Sequence, residues 1–166
     1  MRPLSLVAAT APRLANGTPF PTVFYLAHPV ITAAVSRLEA AGLMYTMTDR
    51  IAEDEALAAA HRAAHEDYLA ERARIGAKAG TGPVPEIEGI SAGGMPVRVK
   101  CLHVLMAYAL AEGPGVVWLG DESVALGNNG TASADRAFAF NGTASAVGAV
   151  AIGSGAQATN DDALAM

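Results

Sequence analysis

Residues 89–108 read Gly89-Ile-Ser-Ala-Gly-Gly-Met-Pro-Val-Arg-Val-Lys-Cys-Leu-His-Val-Leu-Met-Ala-Tyr108, and the predicted elements are arranged around them. The first part, from Ser91 to Pro96, contains two adjacent glycines and predicts a tight turn. We expect a helix to begin near Pro96, because a proline in the first helical turn loses no hydrogen bond. The same stretch contains Cys101, the only cysteine of the chain.

The residues before this stretch predict a small α+β domain. Leu4–Ala11 and Thr22–Ala27 are rich in apolar and β-branched residues and are predicted to pair as a hairpin. A helix is predicted to open at His28-Pro29 and to end at Gly42. A longer helix is predicted from Asp49 to about Ala77. With the helix after Pro96, the predicted fold is a small β-hairpin packed on three helices.

The last quarter of the chain has a different composition. Residues 123–166 contain 13 alanines and 6 glycines among 44 residues. Seven of the alanines are spaced by seven residues, with one step of five: Ala125, Ala132, Ala139, Ala144, Ala151, Ala158 and Ala165. Glycine and asparagine in each repeat oppose a helix, so we expect a repetitive β-roll-like tail. The alternative is a partly disordered, low-complexity tail, and the predicted domains are 1–122 and 123–166.

The overall composition indicates which cellular compartment and which classes of partner to expect. A net charge of −5 argues against nucleic-acid binding, which needs a basic surface. A single cysteine allows no internal disulfide and fits a reducing compartment. No apolar run reaches the roughly 18–20 residues that span a bilayer. We therefore expect a cytoplasmic protein without a membrane partner.

The glycine-rich turn predicts an anion site. Backbone N–H groups at a helix N-terminus bind anions, and the glycines Gly93 and Gly94 beside Ser91 would allow a ligand to come close. Arg98 and Lys100, expected in the first turn of the helix, would add positive charge. The ligand would be an anionic small molecule or a protein partner. The alternative is an ordinary tight loop that leads into a buried helix.

The four histidines and the cysteine are candidate metal ligands by residue type. Cys101 and His103 are two residues apart, about 200° around a helix, and would face opposite ways on it. They can share a metal only if the backbone is not helical there. His61 and His65 have the four-residue spacing of a zinc-binding helix, but Arg62 stands where zinc proteases have glutamate. No nucleophile–base pair follows from the sequence, so no catalytic residue is assigned.

Several ordered runs of the first 125 residues are characteristic: Thr10-Ala-Pro-Arg-Leu14, Gly17-Thr-Pro-Phe-Pro-Thr22, Ser36-Arg-Leu-Glu-Ala40, Ala64-His-Glu-Asp-Tyr-Leu69, Gly89-Ile-Ser-Ala-Gly-Gly-Met-Pro96 and Arg98-Val-Lys-Cys-Leu-His103. By these runs the chain, from about residue 8 to 125, resembles the bacterial family known as domain of unknown function 501. The family has no established activity. Relatives have Cys-Pro where this chain has His28-Pro29, and histidine where it has Tyr108. The resemblance thus implies a zinc or iron site from which one ligand is lost, leaving His28, Cys101 and His103.

Residues 123–166 resemble the head repeats of trimeric autotransporter adhesins, which implies a homotrimer formed through the tail. Three functions follow from these patterns. The first is a binding or regulatory module that uses the turn from Ser91 to Lys100. The second is a degenerate metal-dependent enzyme, and the third is a structural trimer.

Overall fold

A computed structural model describes residues 6–112, 124–126, 131–133, 138–140, 143–146, 150–152, 156–161 and 163–165. The chain divides into two compact units, Met1–Ala111 and Glu112–Met166. The first unit contains helices and an antiparallel hairpin, and the second contains short parallel strands. The predicted α+β class is confirmed.

The predicted hairpin is present in the first unit. Strand β1 (Val7–Ala9) pairs antiparallel with β2 (Phe24–Leu26), with Val7 opposite Leu26. Between the strands the chain turns at Gly17, whose φ is 87°. The Arg13 guanidinium donates to the Gly17 carbonyl at 2.7 Å and holds both carboxylate oxygens of Glu86. The hairpin is thereby joined to the segment that precedes the glycine-rich turn.

The described part of the first unit has four α-helices rather than the three expected. They are α1 (Pro29–Ala40), α2 (Leu43–Glu53), α3 (Glu55–Ala79) and α4 (Leu102–Glu112), with a single 3₁₀ turn at Pro85–Ile87. The prediction of one helix from Asp49 to Ala77 was wrong. Asp54 is extended and accepts the Leu57 N–H at 3.0 Å, so it ends α2 and caps α3. The acidic residues around it therefore belong to two helices.

An aromatic cluster joins β2, α3 and α4. The rings of Tyr68 and Tyr108 meet edge to face at 5.0 Å, and Phe24 stacks on Tyr108 at 5.7 Å. The buried Tyr68 hydroxyl accepts the Val23 N–H at 2.8 Å. Burial raises the pKa of Tyr68 despite hydrogen bonds that lower it, so this phenol stays neutral. Each aromatic pair contributes about 0.5–1.5 kcal/mol beyond the area it buries.

Helix α4 begins at Leu102, six residues later than predicted. The Arg98 N–H bonds to the Gly94 carbonyl, and the Lys100 N–H bonds to the Gly93 carbonyl at 2.6 Å. The Val99 N–H bonds to Thr48 Oγ1 on α2 at 3.0 Å. In a helix starting at Pro96 the Lys100 N–H would bond to the Pro96 carbonyl, but it bonds to Gly93, and the Val99 N–H is taken by Thr48. The segment after the turn is therefore not helical.

The second unit contains two parallel sheets. In one, the strand order is β3 (Val124–Leu126), β5 (Phe138–Phe140), β7 (Val150–Ile152) and β9 (Leu164–Ala165). In the other, it is β4 (Thr131–Ala132), β6 (Thr143–Ala144) and β8 (Gln157–Ala158). Successive strands therefore alternate between the sheets.

The alanine spacing matches this alternation. The register aligns Ala125, Ala139, Ala151 and Ala165 in one sheet and Ala132, Ala144 and Ala158 in the other. Ala139, Ala144, Ala151 and Ala158 are buried and form the core of this unit. A seven-residue step thus moves the chain from an alanine position in one sheet to one in the other. Neither unit has, within its described residues, a helix long and apolar enough to cross a bilayer.

Candidate functional site

The structure places Ser91, Gly93, Gly94, Arg98 and Lys100 in the loop that precedes α4, outside the first turn of that helix. The Ser91 side chain is buried, with Oγ 2.8 Å from His65 Nδ1 and 3.3 Å from the Met95 carbonyl oxygen. The side chains of Arg98 and Lys100 are exposed. The prediction of a helix N-terminus directly behind this turn was wrong, whereas anion binding by the turn stays a prediction.

The two glycines are required by the loop's own packing. Both have positive φ, 68° at Gly93 and 96° at Gly94. A Cβ on Gly94 would lie 2.6 Å from the Arg98 carbonyl oxygen and 2.8 Å from the Lys100 nitrogen. The backbone thus folds against itself at the place where the sequence suggested room for a ligand.

Buried polar side chains of α3 hold this loop in position. His61 Nε2 lies 3.3 Å from the Arg98 carbonyl oxygen, and His65 contacts Ser91. Arg72 donates to the carbonyls of Ile87 and Ile90. His61 and His65 therefore contact different parts of the loop. Burial lowers the pKa of His61, the hydrogen bond to Arg98 raises it, and nearby His65 lowers it further, so the neutral ring is favoured.

The N-terminus of α4 is occupied by side chains of the protein itself. Glu39 Oε1, from α1, accepts the Leu102 N–H at 2.6 Å. The Cys101 sulfur lies directly before the helix, where the Val104 and His103 N–H groups oppose the rise in the pKa of its thiol. A carboxylate and a sulfur thus take the place at which an external anion was expected.

Cys101 and His103 do not face opposite ways, and that prediction was wrong. Cys101 precedes α4, so the helical angle between the two side chains does not apply. Three potential metal-ligand atoms lie within 4.8 Å of one another, one each from Glu39, Cys101 and His103. All three residues are half-buried. Together these three residues form what we call the EHC cluster.

The ring of His103 is oriented by two acceptors on α1. Nε2 lies 3.2 Å from the Thr32 carbonyl oxygen and 3.1 Å from Ser36 Oγ. The Ser36 hydroxyl donates its own hydrogen to the Thr32 carbonyl, so Ser36 Oγ accepts from the imidazole. Nε2 therefore carries a hydrogen. In the neutral ring the lone pair is then on Nδ1.

That lone pair faces a carboxylate. His103 Nδ1 lies 3.1 Å from Glu39 Oε1. Two acceptors at this distance attract only if a cation lies between them, either a proton on the imidazole or a metal ion. A ring whose other N–H donates to a backbone carbonyl is the usual arrangement of a metal-binding histidine.

In the EHC cluster the pKa of Glu39 is lowered and the pKa of Cys101 is raised. Burial works to raise the pKa of Glu39. When a proton lies on His103 Nδ1, the hydrogen bond from that ring, the one from the Leu102 N–H and the charge of the ring outweigh burial and hold the pKa below its usual value. Burial raises the pKa of the Cys101 thiol, and the Glu39 carboxylate raises it further against the opposing Val104 N–H. Glu39 is thus ionised, whereas the thiol keeps its proton unless a cation displaces it.

His28, the third predicted ligand, is outside the EHC cluster as the described residues define it. It lies at the N-cap of α1, on the same helix face as Thr32, Ser36 and Glu39. Its Nδ1 is buried and has no hydrogen-bond partner in the described part of the chain. Tyr108 lies in the aromatic cluster and donates to Asp67.

No sequence pattern indicated Glu39 as a ligand. It lies more than 60 residues before Cys101, and α1 carries it to the start of α4. Its only signal was membership in the matching run Ser36–Ala40, which assigns no role. The meeting of these residues is a result of helix packing.

Comparison with known proteins identifies the family. Residues 2–125 match the family model described as protein of unknown function (DUF501), and the chain belongs to that family. Residues 119–140 and 144–166 match two copies of the YadA head domain repeat. No curated protein and no solved structure matches the chain.

Proposed function

We propose that the first unit is a metal-binding module that holds a zinc-type divalent cation at the EHC cluster. The observation that carries the proposal is the His103 ring, whose Nε2–H is directed at the Thr32 carbonyl while Nδ1 faces the Glu39 carboxylate. A metal ion would satisfy both acceptors and the Cys101 sulfur together. The Glu39 carboxylate supplies the negative charge that such an ion needs.

The donor set favours zinc. Zinc accepts sulfur, imidazole nitrogen and carboxylate oxygen together, whereas magnesium and calcium prefer oxygen alone. Three protein ligands leave the fourth position of a tetrahedral ion for water or another ligand. A bound cation would also favour the thiolate of Cys101. Iron, the other metal expected from the sequence, is distinguished by elemental analysis.

The test is the metal content of the purified full-length protein after dialysis with zinc or iron. The proposal predicts about one zinc per chain, and loss of that zinc in Cys101→Ala and His103→Ala. His28→Ala is the matched control, a histidine-to-alanine change outside the cluster, and it should keep the metal. Less than about 0.1 equivalent of either metal would refute the proposal. Loss of zinc in His28→Ala would instead favour the ligand set expected from the sequence.

We also propose that the second unit forms a β-roll and assembles as a homotrimer. The support is the match to YadA head repeats together with the parallel register of the alanine positions. Resemblance to trimeric adhesin heads implies that neighbouring chains pack along the roll. Sedimentation equilibrium of the full chain should give the mass of three 16.9 kDa chains. A concentration-independent mass of one chain would refute the trimer.

An anion-binding role for the Ser91–Lys100 turn and a cytoplasmic location remain predictions. The exposure of Arg98 and Lys100 supports the first, because both side chains are accessible to a solute. The single cysteine supports the second.

A further inference from the structure

A cavity of about 510 Å³ lies beside the second half of α3. One wall is formed by Pro12 and by one face of α3, whose lining residues are Leu69, Arg72, Ala73, Gly76 and Ala77. The other wall is formed by residues 82–85 and 87–89. Most of its surface is apolar. Its volume falls in the range of about 300–1,000 Å³ that is usual for small-molecule sites.

Arg72 brings a buried positive charge to this cavity. The residue is 7% exposed. Its guanidinium donates to the carbonyls of Pro21, Ile87 and Ile90, all of them neutral groups. Burial lowers the pKa of Arg72, an effect that nearby Tyr68 opposes. No carboxylate of the described residues pairs with it, although buried charges are usually paired.

Two donors of the guanidinium are left over. Nη1 makes two hydrogen bonds and Nη2 makes one. A guanidinium has five N–H groups, so Nε–H and one Nη2–H have no acceptor among the residues that the structure describes. Nε and Nη2 form the side edge of the group, which can hold a carboxylate through two parallel hydrogen bonds.

We propose that this cavity binds a small carboxylic acid with an apolar body, whose carboxylate pairs with Arg72. The small and apolar residues of the walls would contact the body of the ligand. Glu88, which also lines the cavity, would repel a second negative charge and so favour a monocarboxylate. The site is independent of the EHC cluster and does not rest on metal binding.

The test uses octanoate as the probe and octan-1-ol as its uncharged counterpart of the same chain length. Titration of the full-length protein, followed by NMR, should show octanoate binding at least about tenfold more tightly than octanol. Equal affinities, or no binding of octanoate, would overturn the proposal. Cys101→Ser should bind octanoate as the wild type does, which separates this test from that of the metal site.

Two exposed alanines of α3 give a matched pair of variants. Ala73→Phe places a ring in the cavity and should weaken octanoate binding at least about tenfold. Ala70→Phe adds the same ring outside the cavity and should leave binding unchanged. Arg72→Lys keeps the charge but loses the two-bond edge, so weaker binding is expected there as well. If Arg72→Lys fails to fold, Ala73→Phe and Ala70→Phe still test the site. Equal affinities of these two variants for octanoate would refute it.

Discussion

The two units of the chain are stabilised by different kinds of contact. In the first, buried polar and aromatic side chains far apart in sequence hold the elements together, as when Arg72 of α3 donates to the Pro21 carbonyl and the Tyr68 hydroxyl accepts the Val23 N–H. In the second, parallel strands stack in register around a core of alanine. An alanine buries little apolar area, so the backbone ladder and the regular repeat carry more of the stability.

This difference determines which residues each unit needs. A repeat tolerates change wherever its buried alanine positions are kept. The first unit instead depends on single side chains that have no substitute, because each satisfies particular polar groups. Variants in each unit distinguish stabilisation by a repeated alanine core from stabilisation by single side chains. They are given below from the largest expected effect to the smallest.

The second unit should be most sensitive to charge in its alanine core. Ala151→Asp would bury an unpaired carboxylate and should destabilise the unit by more than about 3 kcal/mol. Ser145→Asp, at an exposed position of the same unit, is the matched control. Hydrogen exchange should show protection lost at amides of the second unit only in Ala151→Asp. Equal protection in both variants would contradict an alanine core.

In the first unit, we expect substitution of a glycine by alanine to be most destabilising at Gly94 in the glycine-rich turn. Gly94→Ala combines a φ of 96° with a Cβ placed 2.6 Å from the Arg98 carbonyl oxygen, and should cost about 2–4 kcal/mol. Gly17→Ala has a similar φ of 87° but open space around its Cβ, and should cost about 1 kcal/mol. Urea unfolding measures both free energies. A cost at Gly94 no larger than that at Gly17 would mean that the turn can relax.

Acid should destabilise the first unit through His61. Its folded pKa lies below the usual histidine value of 6.5, so below about that pH the unfolded chain binds more protons and unfolding is favoured. Stability should be level above neutral pH and fall by up to about 1.4 kcal/mol per pH unit below it. His61→Gln should flatten this part of the profile in urea unfolding. An unchanged slope would show that other groups cause the acid sensitivity.

The exposed charges of the turn should affect stability least. Arg98→Ala combined with Lys100→Ala should change the free energy of unfolding by less than about 0.5 kcal/mol. If the turn binds anions, phosphate at constant ionic strength should raise the melting temperature of the wild type and not of this variant. Arg62→Ala with Lys78→Ala, an exposed pair on α3, is the control. Equal phosphate effects in all three proteins would refute the anion site.

Periodicity made much of the fold predictable. The hairpin, α1 and the alternation of alanines could be predicted from the sequence. Each of them depends on neighbouring residues or on a fixed spacing. The start of α4 could not be predicted, because the Thr48 hydroxyl and the Gly93 carbonyl hold Val99 and Lys100 out of a helix. Local propensity at Pro96 was outweighed by these tertiary contacts.

The candidate site was predictable only in part. Cys101 and His103 were identified from the sequence, but an assumed helix separated them and Glu39 was missed. Glu39 reaches them only because α1 packs beside the start of α4. The buried Arg72 had no sequence signal beyond its place in a helix with other charges. Contacts of this kind depend on the packing of whole elements, which local patterns do not encode.

The metal environment of the loaded protein tests the central claim most directly. Zinc X-ray absorption of the full-length wild type should show one sulfur at about 2.3 Å and nitrogen or oxygen ligands at about 2.0–2.2 Å. Cys101→Ser should lose the sulfur contribution. A wild-type spectrum without sulfur, or a protein that retains no zinc, would contradict a metal centre formed by Glu39, Cys101 and His103.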